Sequence, residues 1–187
     1  MSPRFTQALH LASRAHEGQP RKGTAVPYIT HPVAVAGLVA YYGGDEDQQI
    51  AALLHDVLED AGPFFAPEIK YAFGDRVLAM VEGCTDGVPD TNGNKREWAE
   101  RKQAYLRHLA GVPDETLLVS ACDKLSNARA IVEDLNTVGP TVFERFTAKK
   151  DGTVWYYTEL AKVFEARGSP VSGALNAAVT ALRLGAQ

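Results

Sequence analysis

Cysteine is scarce in this chain, with two residues, Cys84 and Cys122, among 187. They lie far apart and sit among apolar neighbours, in MVEGC and LVSAC. That setting reads as two small buried hydrophobes and argues against a disulfide or a thiolate metal site. No block of basic residues occurs, and the net charge is −4. A nucleic-acid polymer is therefore not the expected partner, because such binders carry a basic stripe. A small phosphorylated ligand needs only a few local cations and remains open. No apolar run approaches the roughly 20 residues that span a bilayer, so no membrane role is expected. The opening MSPRFTQALHLASRAHEG lacks the apolar core and small-residue cleavage site of a signal peptide, so a cytoplasmic location is expected. Period-two alternation, internal repeats, low-complexity tracts and linkers are also missing.

What is present is helical periodicity. Hydrophobic residues make up 45% and charged residues 22%, ordinary values for a globular chain. The length suits one domain with one core, residues 1–187. Phe5, Leu9, Ala12 and Ala15 fall near helical spacing over 4–17. Gly and Pro then break the chain through EGQPRKGTAVPYITHP. Pro32 reads as a first-turn proline, predicting a helix over about 32–42. Asp45 reads as the cap of a helix over about 46–61. Pro67 opens a short helix ending at Gly74, and another runs to about Cys84. A polar loop is expected over 85–94. Further helices are expected over 95–110, 114–135, 140–149, 151–167 and 170–184. An all-α single domain of roughly eight to ten helices follows.

One stretch raises a chemical question. ALLHDVLED holds His55, Asp56, Glu59 and Asp60 within what otherwise reads as buried helix. Charge in such a run costs free energy unless something compensates it. At about 100° per residue, the four polar residues span about 140° of the helix. Ile50, Ala51, Leu54, Val57 and Leu58 occupy the opposite side. The bland explanation is the wet face of an amphipathic helix. The sharper one is a divalent cation, since three carboxylates and an imidazole on one face otherwise repel. His31, before Pro32, stands at a helix entry and is able to point at a neighbouring helix end. Asp123 follows the apolar run ETLLVSAC, and Asn127 shares its helical face. Two imidazoles and two carboxylates suit Mn²⁺, Fe²⁺ or Zn²⁺ better than Ca²⁺ or Mg²⁺.

His31, the pair His55-Asp56 and the later Asp123 match the H…HD…D signature of HD-domain metal-dependent phosphohydrolases. GQPRKGTAVPYITHPVAVA, AALLHDVLED, FGDRVLAMVEGCTD and ACDKLSNAR further resemble, in order, the hydrolase domain of RelA/SpoT alarmone enzymes. The likeness covers roughly residues 4–165. The chain is similar to the stand-alone small alarmone hydrolases, of the metazoan SpoT-homologue type. The resemblance implies cleavage of the 3′-pyrophosphate from ppGpp or pppGpp, with one Mn²⁺ held by His31, His55, Asp56 and Asp123. It makes Glu59 and Asp60 the catalytic acidic pair, with the roles of acid and base open between them. It makes Arg21 and Lys22 a basic loop gripping the nucleotide. Lys102 resembles a phosphate-contacting lysine, and Asn127 a ribose or phosphate contact. Tyr156 reads either as a stack for guanine or as a packing residue. Trp155 and Tyr157 read as core. His10, His16 and His108 read as structural or surface residues, and Arg129 as structural. Ala130 departs from the long bifunctional enzymes, where a hydroxyl residue often stands.

Two other functions compete. An HD phosphatase acting on another nucleotide, such as NADPH, shares the metal centre. An antitoxin-like binding protein with a vestigial site fits less well, because a decayed site should have lost a ligand. Homo-oligomer formation and functional pairing with an alarmone synthetase stay open.

Overall fold

The computed structural model describes residues 2–85 and 97–185. Ser2 caps the first helix, α1 (Pro3–Ala15), by accepting the Phe5 N–H. After α2 (Thr30–Tyr41), Asp45 and Gln48 close a reciprocal capping box on α3 (Glu46–Leu54). Each such cap satisfies otherwise orphaned N–H groups and is worth about 1 kcal/mol. α4 (Val57–Asp60) and a 3₁₀ turn (Pro63–Phe65) lead into α5 (Ala66–Phe73) and α6 (Asp75–Cys84). α7 (Trp98–Leu109) and the long α8 (Asp114–Val138) follow. A second 3₁₀ turn (Gly139–Arg145), α9 (Lys149–Ala166) and α10 (Ser172–Gly185) complete the chain. Among the described residues there are ten α-helices and no strand, only one isolated bridge between Pro20 and Pro27. The all-α expectation holds.

The core forms where α8 runs through the bundle, against α2, α3, α6, α9 and α10. Ile50, Leu53 and Leu54 of α3 and Leu125 of α8 are wholly buried. Each such side chain contributes about 1.5–3 kcal/mol. α3 is thus anchored from behind, which fixes what its C-terminal end presents in front.

Three elements differ from expectation. The 46–61 helix is interrupted, with His55 and Asp56 in a turn between α3 and α4. The His55 ring Nδ1 lies 2.8 Å from the Ala52 carbonyl. A continuing helix would give that carbonyl to the Asp56 N–H, so side chain and backbone compete and the helix pauses. α8 continues past 135 to Val138, where Gly139, at φ 66°, ends it. The segment after Gly139 is a 3₁₀ turn rather than an α-helix, its proline at the first turn. The loop expected over 85–94 and the helix start expected at 95 fall almost wholly outside the described residues. Trp98–Leu109 is helical as expected.

Candidate metal centre

Three helix segments converge in front of the core. α2 brings His31 from its first turn, the α3–α4 turn brings His55 and Asp56, and the middle of α8 brings Asp123. His31 and His55 are each 2% exposed and Asp123 is 5% exposed. His31 Nε2 is 3.1 Å from Asp123 Oδ1 and 3.8 Å from Asp56 Oδ2. His55 Nε2 is 2.9 Å from Asp56 Oδ2 and 3.6 Å from Asp123 Oδ1. His31, His55 and Asp123 each offer one ligand atom, all within 4.8 Å of one another. Asp56 stands directly beside that trio.

The chemistry of this donor set suits a cation. The Ala52 carbonyl accepts from His55 Nδ1–H, which leaves the lone pair of the neutral ring on Nε2. Nε2 of His55 and Nε2 of His31 are buried with no hydrogen-bond partner. With both rings neutral, two lone pairs face two carboxylates, an arrangement that is costly without a positive charge between them; without an ion, a proton on His55 supplies that charge. Burial lowers the His31 pKa against the pull of Asp123. Burial works the same way on His55, but Asp56 and Asp123 outweigh it and raise its pKa well above the ordinary value. Burial opposes ionisation of Asp56 and Asp123, yet His55 for the first and Lys124 for the second hold both below the ordinary carboxylate value. The carboxylates stay charged, and a divalent ion among them fits the residues present.

Each ligand-type side chain is oriented from behind, as metal-binding side chains require. The Tyr28 hydroxyl donates to Asp56 Oδ2. Asn127 Nδ2 donates to Asp123 Oδ1 at 2.6 Å, and Lys124 Nζ to Oδ2 at 2.7 Å. His31 Nδ1 lies 3.3 Å from Ser126 Oγ. Arg21 Nη2 donates to Asn127 Oδ1 at 3.1 Å, linking the loop after α1 to this network. That loop is pinned at its base by Arg21 N–H to Val26 O and Tyr28 N–H to Gln19 O, both 2.8 Å.

Glu59 and Asp60 lie on α4, past the turn. Gln19 Nε2 donates to Asp60 Oδ2 at 2.8 Å, while Gln19 Oε1 meets His16 Nδ1 at 2.8 Å. Burial and the Asp56 charge raise the Asp60 pKa. A cavity of about 250 Å³ opens beside the centre, with Arg21, Lys22, Tyr28 and Asn127 at one end. Tyr157, Ile131 and Phe146 form its apolar wall, and Ala130 also lines it.

The structure brings the four candidate ligands together, sets Asp60 near Asp56 and places Arg21, Lys22 and Asn127 along the adjoining cavity, with Glu59 beside Asp60 on α4. Tyr156 and Lys102 are elsewhere. Tyr156 is buried against Trp98 and Trp155, with the Lys102 ammonium 4.8 Å above its ring, and neither lines the cavity. One residue along α9 is a turn of about 100°, and it is Tyr157, read from sequence as core, that faces the cavity. His16, read as structural or surface, is buried with its ring 4.8 Å from Tyr28, next to the acidic pair. Tyr28, Gln19, Ser126 and Lys124 were not singled out from sequence. For Tyr28 a signal exists, since it precedes His31 by about one helical turn.

An all-α bundle in which two histidines and two carboxylates meet fits the class of a helical metal-site protein. The family profile for the HD domain, a metal-dependent hydrolase fold, matches residues 8–154, and the chain belongs to that family. Over 134 residues it is 36% identical to the bifunctional (p)ppGpp synthase/hydrolase SpoT of Escherichia coli K12. That match covers 68% of this chain but only 18% of SpoT. It is 34% identical over 137 residues to the guanosine-3′,5′-bis(diphosphate) 3′-pyrophosphohydrolase MESH1 of Danio rerio, covering 72% of this chain and 70% of that protein. A solved metazoan SpoT ortholog described as hydrolysing ppGpp has the same fold, with a TM-score of 0.78 at 24% identity, covering 100% of this chain and 98% of that one. No described helix is long and apolar enough to cross a membrane.

Proposed function

We propose that the protein hydrolyses the 3′-pyrophosphate of ppGpp and pppGpp, releasing GDP or GTP and pyrophosphate, with Mn²⁺ as its ion. The observation that carries this reading is the meeting of His31, His55, Asp56 and Asp123 at one point, beside a cavity whose near end is cationic. The names of the relatives support it, being (p)ppGpp hydrolases at 34–36% identity.

In this reading His31, His55, Asp56 and Asp123 hold the ion. When bound, it supplies Lewis-acid charge relief at phosphorus and acidifies water. The remaining chemistry belongs to side chains. Arg21 and Lys22 grip pyrophosphate oxygens, the first as a planar fork and the second as a point charge. Asn127 stands between Arg21 and Asp123 and keeps the phosphate loop in register with the centre. Water attacks phosphorus, the bond from phosphorus to the 3′ oxygen breaks, and that oxygen takes up a proton. Asp60 is the better proton donor of the acidic pair, because burial and Asp56 favour its protonated form. Glu59 then orients the water and takes the proton it gives up. The Tyr157 wall offers a face on which a purine stacks.

The test is pyrophosphate release from ppGpp with Mn²⁺, with and without chelator, in wild type, His55→Ala and Asp60→Ala. Release by wild type alone, abolished by chelator, is the expected result. Equal release by all three proteins refutes the proposal.

A further inference from the structure

A chain of polar side chains runs from the protein interior to Asp60. Its inner end is His16, the residue that follows α1, which is 4% exposed. Gly18, at φ 71°, turns the backbone so that the Gln19 N–H meets the His16 carbonyl at 3.1 Å. The Gln19 carbonyl in turn accepts from the Tyr28 N–H at 2.8 Å. Gln19 is thus fixed through its backbone on both sides before its side chain makes any contact. Its amide then bridges two partners, with Oε1 2.8 Å from His16 Nδ1 and Nε2 2.8 Å from Asp60 Oδ2. Asp60 itself is exposed at the end of α4. Among the described residues, Gln19 is the only donor to its carboxyl.

The chain has a direction. An ionised carboxylate only accepts, so the Gln19 amide turns its nitrogen toward Asp60. The amide oxygen then faces His16, and His16 Nδ1 carries the proton it donates. His16 Nε2 is buried with no hydrogen-bond partner. The ring is therefore held in the interior with half of its polar capacity unused, a cost that a mere packing residue would not incur. Packing on Tyr28, at 4.8 Å between ring centroids, would be served as well by an apolar ring. The donor at Nδ1 is what such a ring would lack.

We propose that Gln19, oriented by His16, is a positioning residue that holds Asp60 as the proton donor and places its transferable proton on Oδ1. This role rests on the acid function that the proposed hydrolase reading gives Asp60. A proton on Oδ2 would meet the Gln19 N–H donor to donor, so the protonated acid keeps Oδ2 as its carbonyl oxygen and Oδ1 as its hydroxyl. As the bond between phosphorus and the 3′ oxygen breaks, the leaving oxygen keeps the bonding pair and takes the Oδ1 proton. The O–H pair stays on Asp60, and the carboxylate so formed is still met by Gln19. Without the amide, the exposed Asp60 side chain rotates and either oxygen carries the proton. Misplacing a reacting group by about 1 Å is enough to cost about 100-fold in rate.

The experiment measures kcat and KM for ppGpp with Mn²⁺, by pyrophosphate release, in wild type, Gln19→Met, Asp60→Asn and the double variant, together with His16→Leu and His16→Asn. Gln19→Met keeps the length of the side chain but not its donor. It should lower kcat about 10- to 100-fold, with KM and Mn²⁺ affinity close to wild type. Asp60→Asn should lower kcat about 100-fold or more. In the double variant the Gln19 change should cost nothing further, because it acts through Asp60. His16→Leu should repeat the Gln19→Met loss, while His16→Asn, whose amide offers an N–H near the place of Nδ1, should recover most of it. Wild-type kcat in Gln19→Met, or losses that multiply in the double variant, overturns this inference and leaves the hydrolase reading standing. Equal kcat in the two His16 variants overturns the part given to His16. Wild-type kcat in Asp60→Asn removes the acid role and this inference with it. A wild type that releases no pyrophosphate from ppGpp defeats the hydrolase reading itself.

Discussion

Replacing Asn127 with alanine tests whether the metal centre is organised from behind. Asn127 Nδ2 donates to Asp123 Oδ1 at 2.6 Å. That oxygen faces both histidine Nε2 atoms, at 3.1 and 3.6 Å. Truncation removes a hydrogen bond to a charged acceptor, worth about 1.5–3 kcal/mol. Loss of a group that orients a ligand typically costs about 10- to 100-fold in metal affinity, or about 1.4–2.8 kcal/mol. The two figures agree. Lys124 still holds the other oxygen at 2.7 Å, so Asp123 keeps one of its two tethers. The assay is calorimetric titration of the protein with Mn²⁺ in the absence of any nucleotide, which removes every contribution from substrate contact. The Asn127→Ala dissociation constant should rise about 10- to 100-fold. Arg21→Ala removes only the outer partner of Asn127 and should leave Mn²⁺ affinity close to wild type. If Asn127→Ala binds Mn²⁺ as tightly as wild type, the residue acts toward substrate alone and the reasoning fails.

Three further outcomes follow from neighbouring observations. Tyr156 and Tyr157 should separate: Tyr156→Ala opens a hole among Trp98 and Trp155 and should lower unfolding free energy by about 3 kcal/mol in chemical denaturation. Tyr157→Ala removes a cavity wall and should raise the KM for nucleotide while sparing Mn²⁺ affinity. The raised pKa of Asp60 means the native state binds its proton more tightly than the unfolded chain does, so ionisation there subtracts stability at neutral pH. In chelator, Asp60→Asn should therefore melt higher than wild type at pH 7. The gap should shrink as pH falls through the Asp60 pKa toward the ordinary carboxylate range, and an equal or lower melting temperature at pH 7 contradicts the assignment. Burial pushes the Cys84 thiol up to about 11, so a thiol-specific chromogenic reagent at pH 8 should leave it unmodified until denaturant is added. Rapid labelling of the native protein would show that the core around α6 opens readily.

Periodicity and capping were legible along the chain because they are local. Asp45 before α3 and Pro32 near the start of α2 act within a few residues of where they stand. His31, His55, Asp56 and Asp123 were legible as candidates, from charge within apolar runs and from the family signature, and the structure brings their side chains together. The turn at His55-Asp56 was not legible. It depends on a side chain competing with the backbone for the Ala52 carbonyl, and a helical wheel assumes the backbone wins. Nor was the choice between Tyr156 and Tyr157, adjacent aromatic residues on one helix. Which of them faces the cavity is set by how α9 rotates against α8 and the second 3₁₀ turn. The link from Arg21 through Asn127 to Asp123, and the Asp134–Arg145 pair, join segments that only packing makes neighbours. Residue chemistry determined what kind of centre these side chains can form. The packing of helices against α8 decided which groups support it and what shape of ligand lies beside it, because non-local contacts follow from the whole buried core rather than from any one segment.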